Sequence, residues 1–232
     1  MFRFKQFAIR QENTAMKVGT DGALLGAWCD IQNAKNILDI GTGTAIIAMM
    51  VAQRNNTANI TAIEIDEKAL IDATFNVKNC PWPNRIDIIQ IALQNYHPEK
   101  KFDAIISNPP YFENSLKSNT GEKIKARHTD SLHYTDILEF ASTHLTKEGV
   151  LHLILPLENA GKCIEASKDY DFHLKRICQV QPVPHKKAHR LVFELTKTPC
   201  NTISENLIIE TGKRHDYTEE YIELTKAFYT IM

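Results

Sequence analysis

The residues Asn108-Pro109-Pro110-Tyr111 directly follow a short apolar run, 104–107, that is typical of a buried strand. Each proline lacks a backbone N–H and biases the preceding residue toward extended geometry, so the strand must end here. The side-chain oxygen of Asn108 and the carbonyl of Pro109 can each accept a hydrogen bond from one N–H of a planar amino group. Tyr111 can stack on the ring that carries this amino group. Such hydrogen bonds favour a pyramidal nitrogen whose lone pair attacks an electrophile. Taken alone, the tetrapeptide fits an Asn-Pro turn with a surface tyrosine equally well.

A second candidate site begins at Asp39, where a predicted strand runs into Gly41-Thr42-Gly43 and then into a helix. Glycines permit close ligand approach and backbone angles that a Cβ would block, and the helix N-terminus offers free N–H groups. Glu64 ends the next strand, at the spacing from Gly43 at which a doubly wound nucleotide site places its ribose-binding acid.

This pattern departs from a dinucleotide-binding fingerprint, because Ile46 stands where the third glycine of Gly-x-Gly-x-x-Gly belongs. A carboxylate at Asp39 would also oppose an anionic pyrophosphate, whereas it suits a cationic ligand, bound directly or through water. S-adenosylmethionine carries an ammonium, a sulfonium and a ribose, so the pattern favours this cofactor. The plainer interpretation of Asp39 is a residue that forms the turn at the end of a strand.

The elements that must position these residues alternate between strand and helix from residue 36 onward, which predicts an α/β fold with a parallel sheet covered on both faces. A Pro-rich turn, 182–184, indicates a terminal hairpin with an antiparallel strand at or near the sheet edge. The predicted strands are Asn36–Ile40, Asn59–Ile65, Ile86–Ile91, Ala104–Ser107, Val150–Leu155, Leu174–Val180 and His189–Thr196. The predicted helices are Ala45–Arg54, Glu67–Asn79, Asp136–Leu145, Asn159–Ser167 and an amphipathic Thr218–Met232.

Length and composition restrict the function further. The 232 residues suffice for one α/β domain with short additions, and a net charge of -1 means that a nucleic acid must be held by a local basic patch. The five cysteines have no C-x-x-C spacing, so we expect no metal site and no redox pair, but buried thiols in a cytoplasmic protein. We expect no signal peptide and no membrane partner, because no apolar run approaches membrane-spanning length.

Three basic clusters could contact the phosphates of RNA. The first lies in a long polar loop, 112–133, and the second follows the Pro-rich turn. The second is the best candidate, because three full positive charges fall within five residues without an acid, although each cluster alone is more simply explained as solvated surface. The clusters are Lys117, Lys123, Lys125, Arg127 and His128; His185, Lys186, Lys187, His189 and Arg190; and Lys213, Arg214 and His215.

In combination, Asp39-x-Gly41-x-Gly43, Glu64 and Asn108-Pro109-Pro110-Tyr111 resemble the class I S-adenosylmethionine-dependent methyltransferases of the amino-methylating branch. The whole chain resembles the bacterial tRNA1(Val) (adenine37-N6)-methyltransferase family. That second resemblance rests on the segments Asn13–Trp28, Arg127–Asp130 and Ala188–Arg190 and on the aromatic C-terminal helix. The resemblance implies a seven-stranded Rossmann-like fold and N6-methylation of the adenosine immediately 3′ of the anticodon in a valine tRNA.

The resemblance also implies roles for individual residues within one methyltransferase domain. A segment at 1–35 would close the cofactor site, 36–200 would form the core, and 201–232 would be a C-terminal extension. The residues implied at S-adenosylmethionine are Lys17, Thr20, Asp21, Asp39, Gly41, Thr42, Gly43, Glu64, Ile65, Ala92 and Asn108. Those implied at the target adenine are Asn108, Pro109, Pro110 and Tyr111, and those at the RNA are Lys123, Lys125, Arg127, His128, Lys186, Lys187 and Arg190.

Two positions depart from such methyltransferases. Ala45 stands where a third glycine is usual, and the stretch Gln90–Gln94 lacks the acid that meets the cofactor's adenine amine in many relatives. Four alternatives stay open: a protein glutamine N5-methyltransferase, a ribosomal RNA guanine-N2 methyltransferase, a non-catalytic RNA-binding protein and a nicotinamide-dependent oxidoreductase. Ile46 and Asp39 disfavour the last, and the intact Asn108–Tyr111 motif disfavours the non-catalytic protein.

Overall fold

An eight-stranded, mostly parallel sheet is the framework of the chain in a computed structural model that describes residues 1–110 and 132–230. A separate two-stranded hairpin precedes it. The strands are β1 (Phe2–Arg3), β2 (Ala8–Ile9), β3 (Asn36–Ile40), β4 (Asn59–Glu64), β5 (Ile86–Gln90), β6 (Phe102–Ser107), β7 (Leu145–Pro156), β8 (His173–Gln181), β9 (Arg190–Thr196) and β10 (Ile203–Ile208). The helices are α1 (Thr20–Trp28), α2 (Ile46–Arg54), α3 (Glu67–Lys78), α4 (Tyr134–His144), α5 (Leu157–Ser167) and α6 (Glu219–Thr225).

The strand order of the large sheet is β10-β8-β9-β7-β6-β3-β4-β5. Among these eight strands only β9 is antiparallel, and it lies between β7 and β8. The predicted α/β fold with a mostly parallel sheet is therefore confirmed. The sheet has one strand more than expected, because β10 pairs in parallel with β8 and so forms the edge beyond the hairpin.

Helices cover both faces of the sheet, and each face has its own apolar core. Side chains of α1, α2, α3 and α6 pack on one face, around Ile37 and Ile106. Side chains of α4 and α5 pack on the other, around Leu38 and Ile105. Neighbouring strand residues thus alternate between two buried layers, which explains why the central strands are apolar throughout.

Helix α1 was not predicted from the sequence. All seven residues of 22–28 are buried, so the helix has no polar face whose spacing could reveal it. Gly22 and Gly26 also lower its intrinsic helix propensity. Gly26 has a packing reason, because a Cβ there would come within 2.9 Å of the Met50 sulfur on α2.

The C-terminal helix is much shorter than the predicted Thr218–Met232. It ends at Thr225, after which the Phe228 N–H returns to the Thr225 carbonyl and Tyr229 forms a bridge with Phe4. The apolar spacing continues past the helix because Phe228 is buried in a turn rather than on a helix face. The last predicted residues, 231–232, lie outside the described part of the chain.

The five cysteines are unpaired, and four of them are buried, as expected; Cys200 is exposed. Within the described ranges, no helix is both long and apolar enough to cross a membrane.

Candidate functional site

A pocket of about 340 Å³ opens where β3, β4, β5 and β6 end. Ile40 of β3 pairs with Ser107 of β6, so Gly41 and Asn108 leave the sheet side by side. The chain changes direction across the sheet between these two strands, and open α/β sheets bind ligands at such a switch point. Seven of the residues expected at the site lie on the pocket wall: Gly41, Gly43, Glu64, Ile65, Ala92, Asn108 and Pro110.

The glycine turn after β3 has left-handed backbone angles, with φ of +68° at Gly41 and +57° at Gly43. Hydrogen bonds of 3.0 Å from the Gly41 and Thr42 N–H groups to the Ile63 carbonyl hold the turn against β4. Ala45, where the resemblance implies a third glycine, is also left-handed, with φ of +63°. Because this conformation costs an L-residue about 1–2 kcal/mol, the turn carries strain that glycine would avoid.

Glu64 is held by the backbone around it. Its Oε2 accepts a hydrogen bond of 2.8 Å from the Gly43 N–H, and its Oε1 accepts bonds of 2.9 Å from the N–H groups of Ile65 and Asp66. A carboxylate has about four acceptor directions, so these three bonds leave one for a ligand hydroxyl. The side chain lies on the pocket wall and links the glycine turn to the end of β4.

Asp39 is buried beneath the glycine turn. The Thr42 hydroxyl donates to its Oδ2 at 2.6 Å, while its Oδ1 has no hydrogen-bond partner among the described residues. Burial raises the pKa of Asp39 to about 7, although the hydrogen bond from Thr42 opposes that shift. A buried carboxylate with an unpaired oxygen is costly, and a cationic group or a bridging water would satisfy it.

One wall of the pocket comes from the N-terminal segment, through Thr14 and Met16. Helix α3 anchors this segment: Asp72 accepts hydrogen bonds from the N–H groups of Asn13, at 2.7 Å, and Thr14, at 2.9 Å. Arg10 adds an ion pair with Asp72 at 3.1 Å. Burial by itself would raise the pKa of Asp72, but these hydrogen bonds and the Arg10 charge outweigh it and hold that pKa below its usual value.

The Asn-Pro-Pro motif begins where β6 ends. The buried Ser107 hydroxyl donates to the Ile40 carbonyl at 2.9 Å and so fixes the strand end beside β3. Pro109 is buried, whereas Asn108 and Pro110 are partly exposed on the pocket wall. A Cβ on Gly22 of α1 would lie 4.0 Å from the Asn108 amide nitrogen, so α1 packs close to this side chain. Tyr111, the last residue of the motif, lies outside the described residues.

The expected residues Lys17, Thr20 and Asp21 do not line the pocket, and neither do the buried Asp39 and Thr42. The Lys17 ammonium donates to the Gln11 carbonyl, and Thr20 begins α1. Asp21 instead accepts a hydrogen bond of 2.8 Å from Arg190 of β9. The structure thus joins a residue expected at the cofactor to one expected at the RNA.

Tertiary structure adds residues that the sequence did not reveal as members of the site. Leu132 lies on the pocket wall and would be 3.6 Å from a Cβ on Gly41. Gln94 is also on the wall, and its amide nitrogen donates to Asp136 of α4 at 3.1 Å. A carboxylate only accepts, so this bond fixes the amide orientation and leaves the Gln94 oxygen as an acceptor. Gln90, which ends β5 in the stretch that lacks the acid expected at the cofactor's adenine amine, is not on the wall.

The three basic clusters lie in different parts of the chain, and the structure describes only two of them. Lys186, Lys187 and Arg190 lie in and after the β8–β9 loop, at the same carboxyl edge of the sheet as the pocket. The third cluster, 213–215, lies in the turn after β10. The first cluster, with Lys123, Lys125, Arg127 and His128, falls outside the described residues. Among the residues that are described, no group of three His, Cys, Asp or Glu side chains could hold a metal ion.

Known proteins resemble this chain in sequence over its whole length. The family profile described as "Methyltransferase small domain" matches residues 16–161. A tRNA1(Val) (adenine(37)-N6)-methyltransferase from Flavobacterium psychrophilum is 40% identical over 235 residues, which cover 100% of both chains. A protein of the same name from Bacteroides thetaiotaomicron is 42% identical, with 98% of this chain and 96% of the relative covered.

Solved structures support the same fold. A predicted O-methyltransferase from Agrobacterium tumefaciens superposes with a TM-score of 0.68 at 22% identity, covering 90% of this chain and 96% of the other. A precorrin-6y C5,15-methyltransferase from Geobacter metallireducens gives a TM-score of 0.55 at 15% identity, with 83% and 95% covered. At these identities the likeness concerns the fold alone.

Proposed function

Because this chain belongs to the methyltransferase small-domain family and to the tRNA1(Val) (adenine(37)-N6)-methyltransferases, we propose that it methylates N6 of adenosine 37 in tRNA. The observation that carries this conclusion is the full-length identity of about 40% to relatives of that name. The pocket supports it chemically, because Asn108 and the glycine turn lie side by side at the switch point of the sheet. The valine isoacceptor is part of the proposal.

The proposed cofactor is S-adenosylmethionine, which supplies an electrophilic methyl group on a sulfonium. The residues on the pocket wall and directly beneath it fit this cofactor. Asp39 is buried beneath the glycine turn and is not on the wall, so its buried oxygen would meet a cationic ligand through a bridging water. Glu64 keeps an acceptor direction for a ribose hydroxyl, and the left-handed Gly41 and Gly43 allow close backbone approach. The oxygen of Gln94 is the proposed acceptor for the cofactor's adenine amine, with Ala92 beside it on the wall.

The proposed role of Asn108 is to hold the target amine. Its side-chain oxygen and the Pro109 carbonyl would each accept a hydrogen bond from one N6–H group. These two bonds would keep the nitrogen lone pair directed at the methyl group. Methyl transfer would form the N–C bond as the C–S bond breaks, and the proton lost from nitrogen would pass to solvent. Because positive charge develops on nitrogen, these hydrogen bonds strengthen in the transition state, which is how they would accelerate the reaction. Alignment of amine and methyl supplies the rest.

The target base must leave the stack of the anticodon loop to reach the pocket. This costs a few kcal/mol, and stacking on an aromatic side chain returns about 1–3 kcal/mol per base. Tyr111 remains the proposed stacking residue. Lys186, Lys187 and Arg190 are the proposed phosphate contacts on the described part of the chain, since they share the carboxyl edge with the pocket.

The proposed organisation is one domain in which the segment 1–35 closes the cofactor site. Its support is the pocket wall formed by Thr14 and Met16 and anchored by Asp72. The extension 201–232 joins the same body, because β10 completes the sheet and Phe228 enters the core.

Nucleoside analysis tests the proposed function. Purified protein is incubated with labelled S-adenosylmethionine and bulk tRNA from cells that lack the enzyme, and the digested tRNA is analysed by mass spectrometry. The expected product is N6-methyladenosine in a valine tRNA. Methylated guanosine would refute the base assignment, and labelled glutamine in a protein fraction with unlabelled tRNA would establish the protein-methylating alternative.

A further inference from the structure

We propose that two basic loops form one continuous docking surface for RNA phosphates beyond the target nucleotide. The surface consists of Lys186 and Lys187 in the β8–β9 loop and Lys213 and Arg214 in the turn after β10, and we call it the edge surface. The proposal rests on the tRNA substrate proposed above and adds where the body of that RNA lies.

The two loops are neighbours because their strands are paired. β10 runs parallel to β8, with Ile208 opposite Gln181, so both strands end at the carboxyl edge of the sheet. The pairing continues beyond the strands: the N–H groups of Ile209 and Glu210 donate to the carbonyls of Gln181 and Pro182, each at 2.9 Å. Backbone hydrogen bonds therefore hold the turn 211–216 against the Pro-rich loop.

The positive charges of the edge surface are available to a partner. All four side chains are exposed, and none forms an ion pair with another described residue. Glu210 accepts a 2.9 Å hydrogen bond from the His215 N–H, and Asp216 accepts one of 2.5 Å from the Thr211 hydroxyl. These donors are neutral, so both acids keep their negative charges, but the four cations outnumber the two acids. The remaining positive charge attracts a polyanion.

The position of the edge surface relative to the pocket indicates which part of the RNA it meets. The strand order places β8 three strands and β10 four strands from β6, which carries Asn108. At about 4.8 Å per strand, the edge surface lies roughly 14–19 Å to one side of the target base. Phosphates at that distance belong to nucleotides beyond the target nucleotide and not to the target nucleotide itself.

The test compares two double variants that remove the same amount of charge. K213A/R214A removes half of the edge surface. K101A/K147A is the control, because Lys101 and Lys147 are exposed at the opposite, amino edge of the sheet, where β6 and β7 begin. Thermal unfolding verifies that both variants are folded. Filter binding of a full-length valine tRNA is then measured between about 50 and 200 mM salt, because the slope of log affinity against log salt concentration reports the number of phosphate contacts.

We expect K213A/R214A to lower the slope of log affinity against log salt by up to about 0.9 for each lost phosphate contact. Its affinity for S-adenosylmethionine and its turnover at saturating tRNA should match those of the unmodified protein, and K101A/K147A should leave the slope unchanged. An unchanged slope in K213A/R214A, or an equal change in the control, would overturn the edge surface. Failure of the proposed function is separate, because then the unmodified protein would form no N6-methyladenosine.

Discussion

Glu64 serves both the backbone and the proposed ligand, and its replacement should affect both. Glu64→Ala removes acceptors from three N–H groups and, in the proposed complex, from a ribose hydroxyl. A hydrogen bond to a charged group contributes roughly 1.5–3 kcal/mol, so calorimetry should show S-adenosylmethionine affinity reduced about tenfold or more. Thermal unfolding should show a lower Tm. Glu67→Ala, an exposed neighbour on α3, is the control. Unchanged cofactor affinity in a folded Glu64→Ala protein would remove Glu64 from the site.

Asn108 should matter for the reaction rather than for the cofactor, because its proposed partner is the target amine. We expect Asn108→Ala to abolish methyl transfer in single-turnover measurements with saturating tRNA, while S-adenosylmethionine affinity changes by no more than a few-fold. Asn108→Asp retains an oxygen acceptor for the amine and should recover part of the rate. A single-turnover rate for Asn108→Ala close to that of the unmodified protein would contradict the positioning role.

Asp39 should make cofactor binding depend on pH. Its pKa is raised to about 7 by burial, and only the ionised carboxylate would favour a cationic ligand. The ionised fraction rises from about one tenth at pH 6 to about nine tenths at pH 8, so the Kd for S-adenosylmethionine should fall by up to roughly tenfold over that range. Asp39→Asn should bind more weakly and show a flat profile. A pH-independent Kd in the unmodified protein would exclude this role.

The N-terminal segment is an element held by one buried carboxylate on α3. Asp72→Asn would turn an amide N–H toward the donors of Asn13 and Thr14, so it should destabilise the fold by roughly 1.5–3 kcal/mol and weaken cofactor binding through the wall at Thr14. Chemical denaturation and calorimetry measure the two effects. Asp87→Asn, at an exposed position of β5, is the control and should change neither.

The Asp72 carboxylate should also make the stability of the folded protein depend on pH, in the direction set by its pKa shift. Because the pKa of Asp72 is lowered in the folded state, its stabilisation is fully present above the unfolded pKa and is lost as pH falls below it. The stability difference between the unmodified protein and Asp72→Asn should therefore shrink as the solution is acidified below about pH 4. A constant difference would mean that the ionised form of Asp72 is not what holds the segment.

Elements with a clear periodic or apolar pattern were predictable, and elements defined by tertiary contacts were not. The segments that form β3, β4 and β6 are apolar because both of their faces are buried. Such an apolar run is visible in the sequence of the strand itself, without knowledge of its neighbours. Helix α1 escaped prediction because its glycines are explained only by the approach of α2. Among site residues, Gly41, Glu64 and Asn108 follow from strand-end motifs, whereas Leu132 and Gln94 reach the pocket only through the packing of the chain.

At the scale of the whole molecule, the prediction concerns position in the RNA. A valine tRNA in which adenosine 37 is changed to guanosine should receive no methyl group, because guanine presents no amine at the 6-position, and its binding should change little if backbone contacts dominate affinity. Methylation and binding are measured on the same transcripts, with an adenosine changed elsewhere in the anticodon loop as control. Persistent N6-methylation of the altered tRNA would place the target at another adenosine.

The bridge between Phe4 and Tyr229 has a consequence for biosynthesis. The Lys5 N–H donates to the Phe228 carbonyl, and the Lys5 ammonium donates to the Lys226 carbonyl, 221 positions later in the chain. On the ribosome, the aromatic rings of Phe2 and Phe4 therefore have no Tyr229 to pack against until all the residues between them and Tyr229 have been synthesised. Over that interval the nascent chain exposes apolar surface of the kind that chaperones bind.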